Sequence, residues 1–283
     1  MGSVTQSGNT YHTIRKALLA SNANYADKSF EVFLQGSYGN TTNIYAESDV
    51  DVVIRLDSIF RSNITDLSLT ERQAYHRLFP NATYPFSDFK AGVFAALVNS
   101  FSNNALKAGN KAIVIKAEGS RRSADVIVCY QYRFYKKFDP NSPNDCAFGI
   151  IFPTPNGEVI NYPKQHSENL TLRHQSTGQM LKPMVRILKN MRNWMVENSM
   201  LKEGVAPSYY LEGLFYNVPP NQYPTTSFAD AFYNGINWIL QAARKKLVCP
   251  NWQYYLLGKS NVQWNDANCD AFLAAVCRLW KEW

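Results

Sequence analysis

The chain has little cysteine, and none of it is paired in sequence. Its five cysteines, Cys129, Cys146, Cys249, Cys269 and Cys277, are odd in number and form no C-x-x-C pair. That argues against a disulfide framework or a zinc ribbon. Cys269 and Cys277 flank an apolar helical pattern and read as small core residues. Long apolar runs are also missing, since no stretch approaches the roughly 20 residues needed to cross a bilayer. The opening Met1-Gly2-Ser3-Val4-Thr5-Gln6 lacks the apolar centre of a secretory signal. Gln6 stands where an N-myristoylation signal needs Ser or Thr. A reducing, cytoplasmic, soluble protein without membrane contact is therefore expected. Internal repeats and low-complexity tracts are absent. Acidic residues are the minority charge, with 22 Asp and Glu against 29 Lys and Arg, a net of +7. A basic balance favours phosphate-bearing partners such as nucleotides, nucleic acid or an anionic membrane face. The same charge can also serve solubility alone.

What is present suits a folded chain. With 283 residues, 46% hydrophobic and 14% aromatic, it can form one large domain or two lobes sharing a cleft. Apolar spacing predicts a helix over 11–20, a strand over 30–34, a turn with a short helix over 36–42 and a central strand over 49–56. A helix follows over 86–101, with Ser87 as its N-cap, then strands over 112–116 and 124–130. Beyond about residue 162 helical patterns dominate, over 180–200, 207–216, 228–246 and 267–283, with a Pro- and Asn-rich loop over 217–226. The expected architecture is α+β, with a helix-flanked, mostly antiparallel sheet in residues 1–162 and a helical lobe in 163–283.

The most telling segment is Gly36-Ser37-Tyr38-Gly39 followed by Ser48-Asp49-Val50-Asp51-Val52-Val53-Ile54. Side chains alternate along a strand, so Asp49 and Asp51 point to the same side. Two like charges this close repel unless a cation lies between them. Mg²⁺ suits that place, because it takes carboxylate oxygens together with substrate phosphates. The small-residue turn ahead of them can offer backbone N–H groups to a phosphate. A third acid, Asp125, opens the apolar run Ala124-Asp125-Val126-Ile127-Val128. An acid entering a buried strand is costly unless it is paired or binds metal. Its bland alternative is an ion pair with Arg121 or Arg122. Together the three acids suggest a two-metal phosphoryl or nucleotidyl transfer site.

Lys182, Arg186 and Lys189 fall near one face of a helix, at i, i+4 and i+7. Turned to a cleft, such a row would hold a triphosphate; turned to water, it is a solvated face. In Pro207-Ser208-Tyr209-Tyr210-Leu211-Glu212, Pro207 sits near N1 of a helix, Ser208 can donate to a phosphate, and Tyr209 can stack on a base. Tyr210 reads as a packing residue.

These motifs resemble the DNA polymerase-β nucleotidyltransferase superfamily. They are closest to the bacterial CD-NTases, relatives of cGAS and DncV, and within them to clade E. The resemblance rests on Leu34-Gln35-Gly36-Ser37-Tyr38-Gly39-Asn40-Thr41-Thr42-Asn43-Ile44 with Ser48-Asp49-Val50-Asp51, on Ala124-Asp125-Val126, and on Pro207-Ser208-Tyr209-Tyr210-Leu211-Glu212. It implies a polymerase-β-like nucleotidyltransferase lobe and a C-terminal helical lobe with the active site in the cleft. It also implies a synthase that joins two NTPs (ATP, UTP or GTP) through a linear intermediate into a cyclic dinucleotide, releasing pyrophosphate. The product would be a second messenger for an effector protein in antiphage (CBASS) defence. The resemblance further implies that Asp49 and Asp51 bridge two Mg²⁺ ions, with Mn²⁺ as a substitute, and that Asp125 binds the catalytic one. Gly36, Ser37, Lys189 and Ser208 would contact the donor triphosphate, and Tyr209 would stack on its base. A monomer with no stably bound nucleic acid is expected.

The segment Pro163-Lys164-Gln165-His166-Ser167-Glu168-Asn169 resembles a clade E region bordering a base. Asn169 there is similar to the version associated with pyrimidine use, hence a product such as cyclic UMP-AMP. An amide can bond a uracil edge in both directions, but it can also serve a purine or a helix surface. His166 reads as structural, because two-metal transfer needs no histidine base. Two rival functions share the same residues: a non-cyclising nucleotidyltransferase acting on RNA or protein, and an inactive nucleotide-binding scaffold. Arg244-Lys245-Lys246 is a short basic cluster for a long RNA groove, and the presence of all three acids weighs against the scaffold.

Overall fold

The structure, a computed structural model, describes residues 3–45 and 49–282, with side chains from residue 5 onward. Met1, Gly2, Ser48 of the acidic motif and Trp283 lie outside the described residues. The chain divides into two compact units, one of Met1–Gln35 and Ser48–Pro163, the other of Gly36–Glu47 and Lys164–Trp283.

The first unit opens with helix α1 (Ser3–Leu18) and strand β1 (Phe30–Leu34). The single turn α2 (Gly36–Gly39) comes next in the chain but belongs to the second unit. Strand β2 (Val50–Asn63), helices α3 (Leu69–Leu78) and α4 (Phe86–Phe101) and strands β3 (Leu106–Ala108), β4 (Ile113–Ile115), β5 (Ala124–Phe134), β6 (Ala147–Thr154) and β7 (Gly157–Asn161) complete it. The described strands form a sheet of order β1-β2-β5-β4-β3, with β6 pairing both β5 and β7. β2 and β5 run parallel, whereas the other pairs are antiparallel. The sheet is thus mixed, with one parallel pair at its centre.

β-branched residues make β2 and β5 the central strands. Val50, Val52, Val53, Ile54, Val126 and Val128 are all buried, and such side chains pack well on a pleated, covered surface. Even-numbered positions face α1 and α4, which pack on each other and against β2 and β5 respectively. Tyr25 pins that layer through edge-to-face contacts with Phe30 at 5.1 Å and Phe89 at 5.4 Å. On the opposite face Val53, Ile127, Cys129, Ile150 and Phe152 form their own cluster.

The structure departs from local expectations at several points. Helix α4 has the expected span, but its N-cap is Pro85, which gives no side-chain bond. Ser87 lies inside the first turn, and its hydroxyl turns to Asp88 at 3.1 Å. Helix α3 has no clear apolar stripe in sequence, and Ser68 and Glu71 carry its signal. The Glu71 carboxylate accepts from the Ser68 N–H at 2.8 Å, and the Ser68 hydroxyl accepts from the Glu71 N–H at 3.3 Å, a reciprocal capping box.

The second unit is helical after the Gly36–Glu47 segment: α5 (Pro163–Ser176), α6 (Leu181–Glu197), α7 (Ser208–Asn217), α8 (Phe228–Gln241) and α9 (Asp266–Glu282). Its core runs through Leu181, Met184, Val185, Leu188, Leu211, Leu214, Phe215, Phe232, Ile239 and Phe272. The spacing of Leu181, Val185 and Leu188 is the apolar stripe of an amphipathic helix. Helix α8 stops at Gln241, because Ala242 turns extended with ψ 150°. The basic Arg244–Lys246 therefore forms a separate short turn, and Arg244 pairs with Asp270. Gly235 of α8 lies against α7, where an added Cβ would meet Phe215 Cε1 at 2.6 Å. No described helix is long and apolar enough to cross a membrane. All five cysteines are free thiols.

Candidate functional site

In the first unit the parallel pairing of β2 and β5 brings two of the expected acids side by side. Register places Asp51 opposite Asp125. Laterally paired residues project to the same face of a sheet, and parallel strands begin at the same end. The two carboxylates therefore share one face and one edge. Their odd-numbered positions match those of Val53, Ile127 and Cys129, so they sit at the rim of that apolar cluster. Asp49 precedes β2, and its carboxylate bonds the Ser123 hydroxyl, which immediately precedes β5.

Burial raises the Asp125 carboxyl above its ordinary range, and the charge of Asp49 raises it further. Asp125 is thus disfavoured as an anion where a cation would favour it. Of the arginines weighed as its partner, Arg121 binds Glu118 at 3.1 Å and the Lys116 carbonyl at 2.9 Å. It also stacks over Phe101 at 4.8 Å. Among the described residues, no group of three or more His, Cys, Asp or Glu side chains is arranged to hold a metal ion by itself. The three acids are not a closed cage. They suit an ion that takes few carboxylates and completes its shell with water and phosphate oxygens, as Mg²⁺ does.

The remaining candidates lie in the second unit. Gly36 has φ +64°, a left-handed conformation that favours glycine, and it starts the turn of α2. Its carbonyl accepts from the Asn40 N–H at 2.9 Å, and that of Ser37 accepts from the Thr42 N–H at 2.9 Å. The Lys189 ammonium donates to the Ser37 hydroxyl at 2.6 Å and lies 3.6 Å from the Glu212 carboxylate. Lys189 is fully buried. Lys182 is buried too, donates to the Thr171 hydroxyl at 3.2 Å, and has its pKa lowered by burial. Arg186 donates to the Thr41 carbonyl at 2.9 Å. The basic row on α6 is therefore engaged with protein groups rather than forming a solvated face.

Pro207 is the N-cap of α7, one position earlier than expected, and Ser208 starts the helix. The Ser208 hydroxyl accepts from Arg192 at 3.0 Å, and the same Arg192 nitrogen donates to the Ala206 carbonyl at 3.0 Å. One face of the Tyr209 ring lies along His166, with centroids 4.6 Å apart, and its hydroxyl accepts from Asn251 at 3.0 Å. Asn169 donates to the Pro250 carbonyl at 2.7 Å. The adjacent residues Pro250 and Asn251 thus tie Asn169 to Tyr209. Tyr210 stacks on Trp264 at 5.7 Å and 5°, which is packing as expected.

Arg192, Asn40, Thr42 and Glu212 were given no role from sequence. Glu212 was detectable there: an acid inside Leu211-Glu212-Gly213-Leu214-Phe215 must find a partner or not be buried.

Residues 168–281 match the family of the cGAS/DncV-like nucleotidyltransferase C-terminal helical domain. Over its whole length the chain is 37% identical to a cyclic UMP-AMP synthase of Rhodothermus marinus, covering 94% of that protein. It is 35% identical to the cyclic nucleotide synthase CdnE01 of Staphylococcus haemolyticus, over 97% of this chain and 93% of the relative. Among solved structures it is similar to the Rhodothermus marinus CdnE cyclic UMP-AMP synthase with Apcpp and Upnpp. That likeness has a TM-score of 0.88 at 36% identity, covering 100% of this chain and 93% of the other.

Proposed function

This chain belongs to the cGAS/DncV-like nucleotidyltransferases, the CD-NTases, in clade E, and on that premise we propose that it is a cyclic dinucleotide synthase. Two nucleoside triphosphates are joined through a linear intermediate, and each new phosphodiester releases one pyrophosphate. The observation that carries this reading is the register pairing of Asp51 with Asp125, with Asp49 bonded to Ser123 at the same strand edge.

Asp49, Asp51 and Asp125 are the residues that would hold two Mg²⁺ ions, with Mn²⁺ as a substitute. Such ions, when bound, lower the pKa of the attacking ribose hydroxyl and neutralise charge gathering on the pyrophosphate. The raised carboxyl of Asp125 supports that assignment, because a group disfavoured as an anion gains most from a cation. Lys189, Ser37 and the Gly36 turn bind the donor triphosphate, supported by the 2.6 Å bond that already sets Lys189 on Ser37. Ser208 donates its hydroxyl proton to the same phosphates. Tyr209 offers a ring face to the base, its other face being backed by His166. Asn169 is held by Pro250 with its amide oxygen left to meet a base N–H, which suits uracil and a product such as cyclic UMP-AMP. In this reading residues 1–162 are the nucleotidyltransferase catalytic lobe and 163–283 the helical nucleotide-binding lobe. The chain acts as a monomer, and its diffusible product acts on a separate effector in antiphage signalling.

Incubation with each radiolabelled NTP, alone and in pairs, with Mg²⁺ or Mn²⁺, followed by mass spectrometry, tests the reading. A phosphatase-resistant cyclic dinucleotide is expected. Extended RNA or labelled protein without a cyclic product would replace it with a non-cyclising transferase.

A further inference from the structure

Glu212 is wholly buried on α7, within an otherwise apolar stretch. Four side-chain donors converge on it. Asn40 Nδ2 at 2.9 Å and His166 Nε2 at 2.7 Å reach one carboxylate oxygen. The Thr42 hydroxyl and, at 3.6 Å, Lys189 Nζ reach the other. Three hydrogen bonds and the ion pair with Lys189 engage both oxygens, so this carboxylate is committed to protein groups.

The four donors come from three parts of the second unit. Asn40 and Thr42 belong to the segment that begins with Gly36 and Ser37. Lys189 comes from α6 and itself holds Ser37. His166 comes from α5 and backs the ring of Tyr209. One carboxylate therefore braces the small-residue turn, the lysine and the aromatic platform at once. A buried charge cluster is a poor source of stability, since apolar residues of like volume often do as well or better. Its distinctive effect is to fix positions.

We propose that Glu212 is a positioning residue that locks the triphosphate-binding pair, Ser37 and Lys189, and the base-stacking ring of Tyr209 into one register. The proposal rests on the reading above that these residues bind a nucleoside triphosphate. Glutamine at this position keeps the volume but removes the charge that Lys189 and His166 both face, and sets an NH₂ donor against one of the two donor pairs, so both arms loosen. Lys189 contacts Ser37 and Thr42 of the triphosphate arm, and His166 backs the Tyr209 ring of the base arm.

The test is calorimetric binding of Upnpp, Apcpp, UMP and AMP to the full chain. Lys189→Met should weaken the triphosphates about tenfold and leave the monophosphates unchanged. His166→Phe should weaken tri- and monophosphates by one common factor. Glu212→Gln should do both, losing affinity for monophosphates and losing about tenfold more for triphosphates. Gly235→Ala, in the core against Phe215, is the control for stability alone. Wild-type affinities for all four ligands in Glu212→Gln would overturn the proposal, as would a loss equal to that of Gly235→Ala at matched melting temperature. If wild type shows no preference for triphosphate over monophosphate, the nucleotide-binding reading fails first and takes this inference with it.

Discussion

Asp51 and Asp125 face each other across two parallel strands, in register and at the same strand end. Antiparallel pairing would have set the start of one strand against the end of the other and separated the acids. The arrangement concentrates negative charge where burial already disfavours it. That electrostatic cost is what the proposed metal site would relieve.

Asp125→Asn therefore separates activity from stability. Product formation should fall by roughly a hundredfold or more, since a charged contact to the reacting centre is lost. The melting temperature should stay the same or rise, because a carboxyl disfavoured by burial and by Asp49 is removed. Mass analysis of products beside thermal melting checks both. A stable variant with full product yield would remove Asp125 from the site.

Glu212 predicts an acid-stability profile. Burial raises its carboxyl. The bond and charge of His166, the charge of Lys189 and the bond of Thr42 outweigh that and bring it from 4.5 down to about 2. A folded-state value below the unfolded one stabilises fully above about pH 4.5, and the contribution is lost as pH falls towards 2. Between these limits, stability measured by urea unfolding should fall more steeply in wild type than in Glu212→Gln, by up to about 1.4 kcal/mol per pH unit. Equal slopes would show that the carboxylate is not held ionised by its neighbours.

Asn169→Ala tests base choice. It removes the bond to the Pro250 carbonyl and the amide oxygen proposed to meet uracil. With UTP, ATP and GTP supplied together, the uridine content of the product should drop, and KM for UTP should rise about tenfold, the scale of a lost buried hydrogen bond. An unchanged product ratio would leave Asn169 as a brace for the Pro250 loop only.

Gly235→Ala probes the helical unit itself. The new methyl meets Phe215 Cε1 at 2.6 Å, in a ring that is fully buried and also packs against Phe232 and Tyr223. Overpacking of this kind costs about 1–3 kcal/mol, or several degrees in melting temperature for a chain of this size. Differential scanning calorimetry should show that drop, with the nucleotide preference at low temperature retained. An unchanged melting temperature would mean that Phe215 can shift without cost.

Much of this was legible in order along the chain. The runs around Val52 and Val126 read as buried strands because β-branched residues stand in continuous succession there, and both are. Ser68-Thr70, by contrast, opens a helix whose exposed Leu69 and polar face gave no clear stripe, so only the Ser68–Glu71 capping pair betrayed it. The cluster around Glu212 was hidden for a different reason. Residues 40 and 42, 166, 189 and 212 lie in four distant stretches of the chain, and each alone has an ordinary explanation.

The sequence by itself determined the chemistry available to this protein. It sets two acids at a strand's start, a third opening another strand, a glycine-led turn, and a lysine and tyrosine on later helices, because residue type and local periodicity are written there directly. Tertiary structure decided which of these meet. Whether β2 and β5 run parallel, and so whether Asp51 stands beside Asp125, depends on the path of the chain between them. Whether Lys189 is a solvated charge or a buried hand on Ser37 depends on Glu212, Thr42 and the turn that packs over α6. Such contacts form only when distant segments close together, and their energies belong to the folded arrangement rather than to any stretch of residues.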